Sequence, residues 1–413
     1  MYALAPSPLD AKRIWAGTDD GLIHVTTDGG ASWTNVTPQQ LVPWAKVSIL
    51  EASHFDANTA YAAINTFRLD DLRPHILRTR DGGKSWVEIT SGIPSEGIIN
   101  VVREDPKQRG LLFAGSEREV FVSFDDGDRW QSLRLNMPAT SIRDLVLHDN
   151  DVVVATHGRG FWILDDIAPL RNADASTHLV KPSQAWRFRW NKYTDTPLPP
   201  DEPMGQNPPD GAVIDYVLAS PAQSVALEIL NASGKVVRRY SSDDKPAYEV
   251  KDTGNWPWYW FRKPQMISRD AGMHRLVWDL HYAPLPSKGP SLGINAVPFN
   301  TAPNYSSPWV LPGTYTVRLS VDGKTSTQPL VVKMDPRVTA SMADLTEQFN
   351  LSMRVYEALQ SMSSSEEEDD EGPPSTAKPP ARASSLRTLL NRLQAADVAP
   401  TEQLKTAVAG LFR

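Results

Sequence analysis

The sequence predicts a mainly β chain, built from repeated four-stranded units followed by a β-sandwich and a helical hairpin. Three observations predict it. A turn pattern of hydroxyl residue, Asp, Gly, hydroxyl residue and Trp occurs three times in the first third of the chain. Short segments with period-two apolar alternation follow between residues 211 and 335, and apolar residues take helical spacing after Asp335-Pro336.

The first copy of the turn pattern is Thr26, Asp28, Gly30, Ser32 and Trp33, and the second is Thr79, Asp81, Gly83, Ser85 and Trp86. The third is Ser123, Asp125, Gly127, Arg129 and Trp130, with Arg in place of the second hydroxyl. The tryptophans are 53 and 44 residues apart, the period of a four-stranded unit rather than of a helical repeat. In a tight turn between outer strands the Asp accepts hydrogen bonds from its own turn, the glycines allow positive φ and the Trp plugs the neighbouring strand. Repetition at one turn per unit assigns Asp28, Asp81 and Asp125 to the fold; a role as catalytic acids is the alternative.

This pattern resembles the Asp-box, or BNR, repeat of sialidase-like and sortilin-like β-propellers. Strand pairs recur at residues 14–18 with 21–25, 60–63 with 75–77, 111–115 with 120–122 and 152–156 with 161–164, which predicts about four blades. Residues 155–166 resemble the closing blade of large exported bacterial BNR/sortilin-like (VPS10) proteins, often labelled glycosyl hydrolases. More blades precede that motif in the family. Residues 1–172 are therefore expected to be the C-terminal part of a larger propeller, entered directly at a first strand over residues 14–18, with an edge open to self-association. The resemblance implies an exported location, periplasmic or extracellular, although residues 1–6 lack a signal-peptide pattern.

Proline accumulates over residues 173–210, which predicts an extended connector in which Trp186, Phe188 and Trp190 share one strand face. Residues 211–335 are expected to form a sandwich, and the segment 312–319 resembles the closing hairpin of Ig-like or fibronectin-like modules. Within it Trp256, Trp258 and Trp260 form the densest aromatic cluster, a candidate sugar-stacking row with an interdomain plug as the alternative. Residues 336–413 are expected to form a helical hairpin. Ser341 and Asp344 open it as a capping box, and Leu345, Phe349, Met353, Tyr356 and Leu359 share a face. A Ser/Pro-rich acidic insert at 361–385 is expected to be disordered.

Composition narrows the function classes. Net charge is −7, six of those charges lying in the run 366–371, so no basic face for nucleic acid is implied. No apolar run is long enough for a membrane span. The absence of Cys removes disulfides, thiolate metal sites and Cys nucleophiles. No histidine or acidic spacing matches a zinc or calcium site, so neither a metal nor a cofactor is expected. The grouping 157–160 places His157 and Arg159 between flanking glycines as a candidate binding element at a funnel mouth, expected between the first and second strands of the closing blade; a plain tight turn is the alternative.

Sialidase-like chemistry needs an arginine triad, an Asp acid and a Tyr with a Glu partner. No spacing singles out a triad among Arg78, Arg80, Arg103, Arg118 and Arg159, and no Tyr lies beside a Glu in an inner strand. Glu104, Asp105, Glu117 and Asp144 are carboxylate candidates that fit solvated loops equally well. The sequence thus favours a non-catalytic platform for protein or glycan ligands, with a glycoside hydrolase as the alternative.

Overall fold

The computed structural model describes residues 1–189, 209–246, 263–285, 306–367 and 381–412. It is mainly β, with antiparallel sheets and few helices, and divides into two compact units, Met1–Ala173 and Asp174–Arg413.

The first unit contains four meander sheets in chain order. Sheet one is β1 (Ala3–Pro6), β2 (Ile14–Gly17), β3 (Ile23–Thr26) and β4 (Thr34–Asn35). Sheet two is β5 (Lys46–Ala52), β6 (Ala60–Asn65), β7 (His75–Thr79) and β8 (Val87–Glu88). Sheet three is β9 (Ile99–Glu104), β10 (Leu112–Ser116), β11 (Val120–Ser123) and β12 (Gln131–Ser132). Sheet four has three strands, β13 (Ile142–His148), β14 (Asp151–Thr156) and β15 (Phe161–Leu164), and the helix α1 (Ala168–Arg171) follows. Every pairing is antiparallel between sequence neighbours, as short turns dictate.

Period-two alternation gives each sheet two apolar faces, one toward the preceding sheet and one toward the next. Trp15, Ile23 and Val25 of sheet one share a core with Leu50, Ala62 and Leu77 of sheet two. Tyr61, Ala63 and Ile76 pack on Ile99, Val102 and Leu112 of sheet three, and Phe113, Val120 and Val122 pack on Ile142, Leu145 and Val154 of sheet four.

Two expectations for this unit are corrected. The first strand is Ala3–Pro6, and residues 14–17 form the second strand instead. Alanine and proline carry little strand signal, yet Ala3 and Ala5 are buried, and Pro6 needs no ladder N–H at an edge. Strand β1 ends its sheet, as do β5, β9 and β13. Residues 157–160 join the second and third strands of sheet four, β14 and β15, rather than the first and second.

In the second unit, β16 (His178–Leu179), β18 (Ala212–Leu218) and β21 (Gly272–Trp278) form one sheet. The other contains β17 (Ala185–Arg187), β19 (Val225–Leu230), β20 (Val236–Ser241), β22 (Gly313–Val321) and β23 (Lys324–Met334). Ile214, Tyr216, Leu227, Leu276, Trp278, Val317 and Leu330 fill the core that the two sheets share. Strands β16 and β17 lie in the stretch expected to be a connector, and β17 pairs parallel with β23. Along β17, Ala185 and Arg187 are buried while Trp186 is exposed, with Lys333 Nζ 5.7 Å from its ring centroid. Trp190, Trp256, Trp258 and Trp260 lie outside the described residues.

Three helices complete the unit: α2 (Met342–Glu367), α3 (Ala381–Leu393) and α4 (Glu402–Leu411). Ser341 and Asp344 cap α2 reciprocally, the Asp344 N–H donating to Ser341 Oγ at 3.2 Å and the Ser341 N–H to Asp344 Oδ2 at 3.1 Å. Val355, Tyr356, Leu359, Leu386, Leu390, Leu393 and Val408 form the helical core. The two ends of the acidic insert, expected to be unstructured, are helical, since α2 runs through Glu367 and α3 begins at Ala381. Helical propensity in Glu and Ala extends both helices past the point where apolar periodicity stops; residues 368–380 lie outside the described residues.

Candidate binding site

In all four sheets the second strand returns to the end where the first begins, so the first unit has a strand-start end and an opposite end that carries the Asp-Gly turns. The turns are closed by side-chain networks. In the second turn, Ser85 donates through its backbone N–H to Asp81 Oδ1 (2.9 Å) and through Oγ to Asp81 Oδ2 (2.6 Å), while Thr79 Oγ1 donates to Asp81 Oδ1 (2.9 Å) and accepts from the Gly83 N–H (2.9 Å). These bonds hold the Asp81 carboxyl down at about 2, those of Ser85 contributing most. Asp28 has the same set from Ser32 and Thr26, which lowers its pKa, the Ser32 bonds again contributing most. Asp125 accepts from Ser123 Oγ (2.8 Å) and the Arg129 N–H (2.8 Å), and Ser123 Oγ accepts from the Gly127 N–H (2.9 Å).

The turn residues also grip the sheet before them. Gly83 and Gly127 have positive φ, and a Cβ on either would come within 2.7 Å of Val36 and 2.4 Å of Ile89, side chains just past the outer strands of the preceding sheets. Trp86 Nε1 donates to the Val36 carbonyl (2.9 Å) and Trp130 Nε1 to the Ile89 carbonyl (2.7 Å).

Near the turn end, between sheets two and three, lies a buried polar cluster that the sequence did not announce. Tyr61 donates to Asp126 and stands 3.4 Å from Glu104 Oε1, so the fold brings together a Tyr and a Glu that the sequence separates by 43 residues. Arg78 and Arg80 pair with Asp126, and Glu104 Oε2 accepts from the His54 N–H at 2.7 Å. Glu104 ends β9 and is buried rather than in a solvated loop; Asp105 is buried too, paired with Arg171 at 2.9 Å. Burial raises the Glu104 pKa, and burial together with the Glu104 charge raises that of Tyr61 strongly. Tyr61 itself is 1% exposed and packs in the core between sheets two and three.

The strand-start end carries a different arrangement, a row of polar side chains crossing three sheets. Asn65, at the end of β6, donates to Asn100 Oδ1 (2.8 Å) at the start of β9. Asn100 donates to Glu117 Oε1 (2.9 Å) and to the Ile142 carbonyl (2.9 Å). Arg143, second residue of β13, bridges Glu117 (3.1 Å) and His157 Nδ1 (3.2 Å), accounting for one of the two sequence candidates in the 157–160 turn. Gly158 and Gly160 both have positive φ; Thr156 Oγ1 donates to the Gly160 carbonyl (2.7 Å) and accepts from the Arg159 N–H (3.2 Å), which leaves the Arg159 side chain exposed. The turn geometry and the exposed side chains are thus one feature.

Buried Asn100 anchors the row while Arg143, Arg118, His157 and Arg159 face solvent. Around them the loops at this end expose Val42, Trp44, Phe67, Leu72 and Leu135. Asn100, Glu117 and Arg143 were not grouped from sequence, because no spacing links them; only sheet register does. Among the described residues no cluster of His, Asp or Glu has metal-holding geometry, and no helix is long and apolar enough to cross a membrane.

No family model matches the chain, and no curated protein matches it. Solved structures similar to it include YCF48 bound to a D1 peptide, at 14% identity and a TM-score of 0.32, covering 59% of this chain and 64% of that one. YCF48 from Cyanidioschyzon merolae is similar at 20% identity and a TM-score of 0.31, covering 40% and 52%. A GH74 xyloglucanase from Xanthomonas campestris is similar at 12% identity and a TM-score of 0.34, covering 59% and 36%. The chain spans less than two thirds of the length of each, and likeness at this level assigns it no activity, ligand or family.

Proposed function

We propose that the first unit is an arc of four β-propeller blades of the Asp-box, sortilin-like kind, and that its strand-start end is a non-catalytic platform binding an extended polypeptide. The observation that carries this reading is the continuous row Asn65, Asn100, Glu117, Arg143 and His157. Its internal hydrogen bonds run along three successive sheets and fix the solvent-facing Arg143 guanidinium and His157, rimmed by exposed Trp44, Phe67 and Leu135. Aromatic residues and arginine on a surface with fixed polar partners have the composition of a protein-binding face. On the same reading, the second unit is an Ig- or fibronectin-like module with a helical hairpin, and the protein acts outside the cytoplasm, as the Asp-box resemblance implies. A glycan is the alternative ligand.

Glycoside hydrolysis, the other function expected from the sequence, has one observation in its favour, the contact of Tyr61 with Glu104. Tyr61 is buried and its ionisation is suppressed, so it supplies neither an accessible nucleophile nor a sugar contact. The platform reading is tested by selecting peptides from a displayed random library on the full chain, then measuring the selected peptides against Arg143→Glu and Trp44→Ala. Each substitution is expected to weaken binding at least about tenfold, roughly the loss of one interface anchor. Unchanged affinity in both, or hydrolysis of aryl glycosides by the unmodified chain, would refute it.

A further inference from the structure

The strand-start end of the first unit differs in charge between its two halves. In sheets three and four, the turns between second and third strands and the segment 133–143 that leads into β13 hold Arg118, Arg134, Arg143 and Arg159. Backbone hydrogen bonds stitch these segments into one region: the Leu133 N–H donates to the Val120 carbonyl (2.8 Å), the Thr140 N–H to the Arg118 carbonyl (3.1 Å) and the His157 N–H to the Ser141 carbonyl (2.9 Å). Glu117 and Glu119 are the carboxylates of these segments, and both are engaged, Glu117 by Asn100 and Arg143 and Glu119 by Ser132. The side chains of Arg118, Arg134 and Arg159 are exposed and have no hydrogen-bond or ion-pair partner among the described residues.

In sheets one and two the same end is acidic and apolar. The corresponding turns, 18–22 and 66–74, contain Asp19, Asp20, Asp70 and Asp71, and their two arginines are taken up by these residues, Arg68 by Asp19 (3.5 Å) and Arg73 by Asp71 (2.8 Å). The Trp44 N–H donates to the Asp20 carbonyl (2.9 Å), so the loop before β5 and the Phe67–Leu69 turn converge on residues 19 and 20. Trp44 is held at φ 69°, in the left-handed region that a large side chain rarely adopts, and is 65% exposed, with Phe67 at 56% and Leu69 at 40%. Backbone strain of this kind persists where a side chain serves a site rather than the core.

Resting on the platform reading above, we infer that the occupant is an acidic polypeptide segment with an apolar anchor: a run of Asp or Glu side chains over sheets three and four, continued by an aromatic or large aliphatic side chain over sheets one and two. Charge complementarity selects it. Three guanidinium groups without partners attract an acidic run and repel a basic one, and they gather positive charge in a chain whose net charge is −7. The half around Trp44 and Phe67 suits an apolar side chain, because the acidic turns beneath it repel a second carboxylate run. Asn65 of sheet two and Asn100 of sheet three join the halves through their 2.8 Å bond, so one extended segment crosses both.

The test uses the full chain and three fluorescently labelled, C-terminally amidated peptides that share a Trp-Leu pair and a Gly/Ser spacer and end in a run of Glu, Gln or Lys. Anisotropy should show the Glu peptide binding about tenfold tighter than the Gln peptide, and the Lys peptide weakest, an advantage that shrinks between about 50 and 500 mM salt. The double variant Arg118→Glu with Arg159→Glu, at two exposed positions outside the row that carries the platform reading, should reverse the order in favour of the Lys peptide. In Trp44→Ala, replacing the Trp-Leu pair of the Glu peptide by Ser-Ser should cost less affinity than it does in the unmodified chain. Equal affinity for the three peptides, an unchanged order in the double variant, or tight binding only when the peptide ends in a free carboxylate would overturn the inference. A library-selected peptide that binds through Arg143 and Trp44 without these charge effects would leave the platform reading standing and remove only the acidic occupant.

Discussion

Trp130 Nε1 donates to the carbonyl of Ile89 across 2.7 Å, tying the turn of one sheet to the outer margin of the sheet before it. Trp86 does the same to Val36 and stands edge-on to Trp15 of the preceding sheet, with ring centroids 6.0 Å apart. The Asp-Gly turns are thus interface elements as well as local turns. The Asp network rigidifies the loop, and the loop aims an indole at its neighbour.

It follows that Trp130→Ala costs about 3–5 kcal/mol, the range for losing a buried large aromatic, and also leaves the Ile89 carbonyl without its donor. Trp33→Ala, in the turn of sheet one, costs much less, because Trp33 is 40% exposed. Chemical denaturation of the two variants checks this; equal losses would show that the tryptophans act only within their own turns.

The third turn carries a natural defect. Ser32 and Ser85 each donate an Oγ bond of 2.6 Å to the second oxygen of the turn Asp, and Arg129 stands where that hydroxyl belongs. Arg129→Ser is therefore expected to raise stability by a few tenths of a kcal/mol up to about 1, the net worth of one partly exposed hydrogen bond. Asp81→Asn is expected to lower the melting temperature, because a carboxamide cannot accept at both positions that Ser85 fills. A linked pH effect accompanies it. The Asp81 pKa is lowered from its ordinary value of 3.8 to about 2 in the folded chain, so its contribution is complete above pH 3.8 and disappears as pH falls toward 2. The acid limb of a melting-temperature profile should be shallower in Asp81→Asn, and an unchanged limb would contradict the assignment.

Burial acts with the opposite sign on Glu104. Its pKa is raised in the folded chain, so its protonated form is the one that folding favours, and stability falls as pH rises through the raised value. Glu104→Gln keeps an oxygen to accept from the His54 N–H and removes the buried charge. Its stability relative to the unmodified chain should therefore improve from pH 4 to pH 8. A difference that stays constant over that range would mean that Glu104 is not held against its charge.

How far these features were legible depends on the kind of physics behind them. The turns were legible because every contact in the Asp81 network lies within six residues, and the alternation in residues 211–335 was legible for the same local reason. Strand β1 was hidden because Ala3 and Ala5 suit close approach of sheets rather than strand propensity, and Pro6 carries no strand signal. Asn65, Asn100, Glu117, Arg143 and His157 were not grouped because their neighbourhood is created by register between strands up to 42 residues apart in sequence. His157 and Arg159 stood out only through their flanking glycines.

The second unit offers a last case of long-range pairing. Arg187 on β17 and Arg189 just beyond it both close on Asp397, in the segment joining α3 to α4, with Arg189 Nε at 2.8 Å from Oδ2. Arg187 also donates to the Val310 carbonyl (2.7 Å), and both guanidinium groups lie 5.5 Å from the Trp309 ring centroid. Burial lowers the Arg187 pKa against the pull of Asp397, so the carboxylate keeps this guanidinium charged in the core. Asp397→Ala strands two positive charges around one aromatic ring and should cost about 3–5 kcal/mol, the penalty for removing one side of a buried ion pair. Asp397→Asn, which retains an acceptor, should cost less. The double variant Arg187→Met with Asp397→Leu should recover part of the loss, because it removes the more buried of the two stranded guanidinium groups while Arg189, at the partly exposed side, still lacks its carboxylate. Urea unfolding followed by near-ultraviolet circular dichroism provides the measurement. If Asp397→Ala unfolds at the same midpoint as the unmodified chain, the pair is not what holds the α3–α4 segment to the sheet.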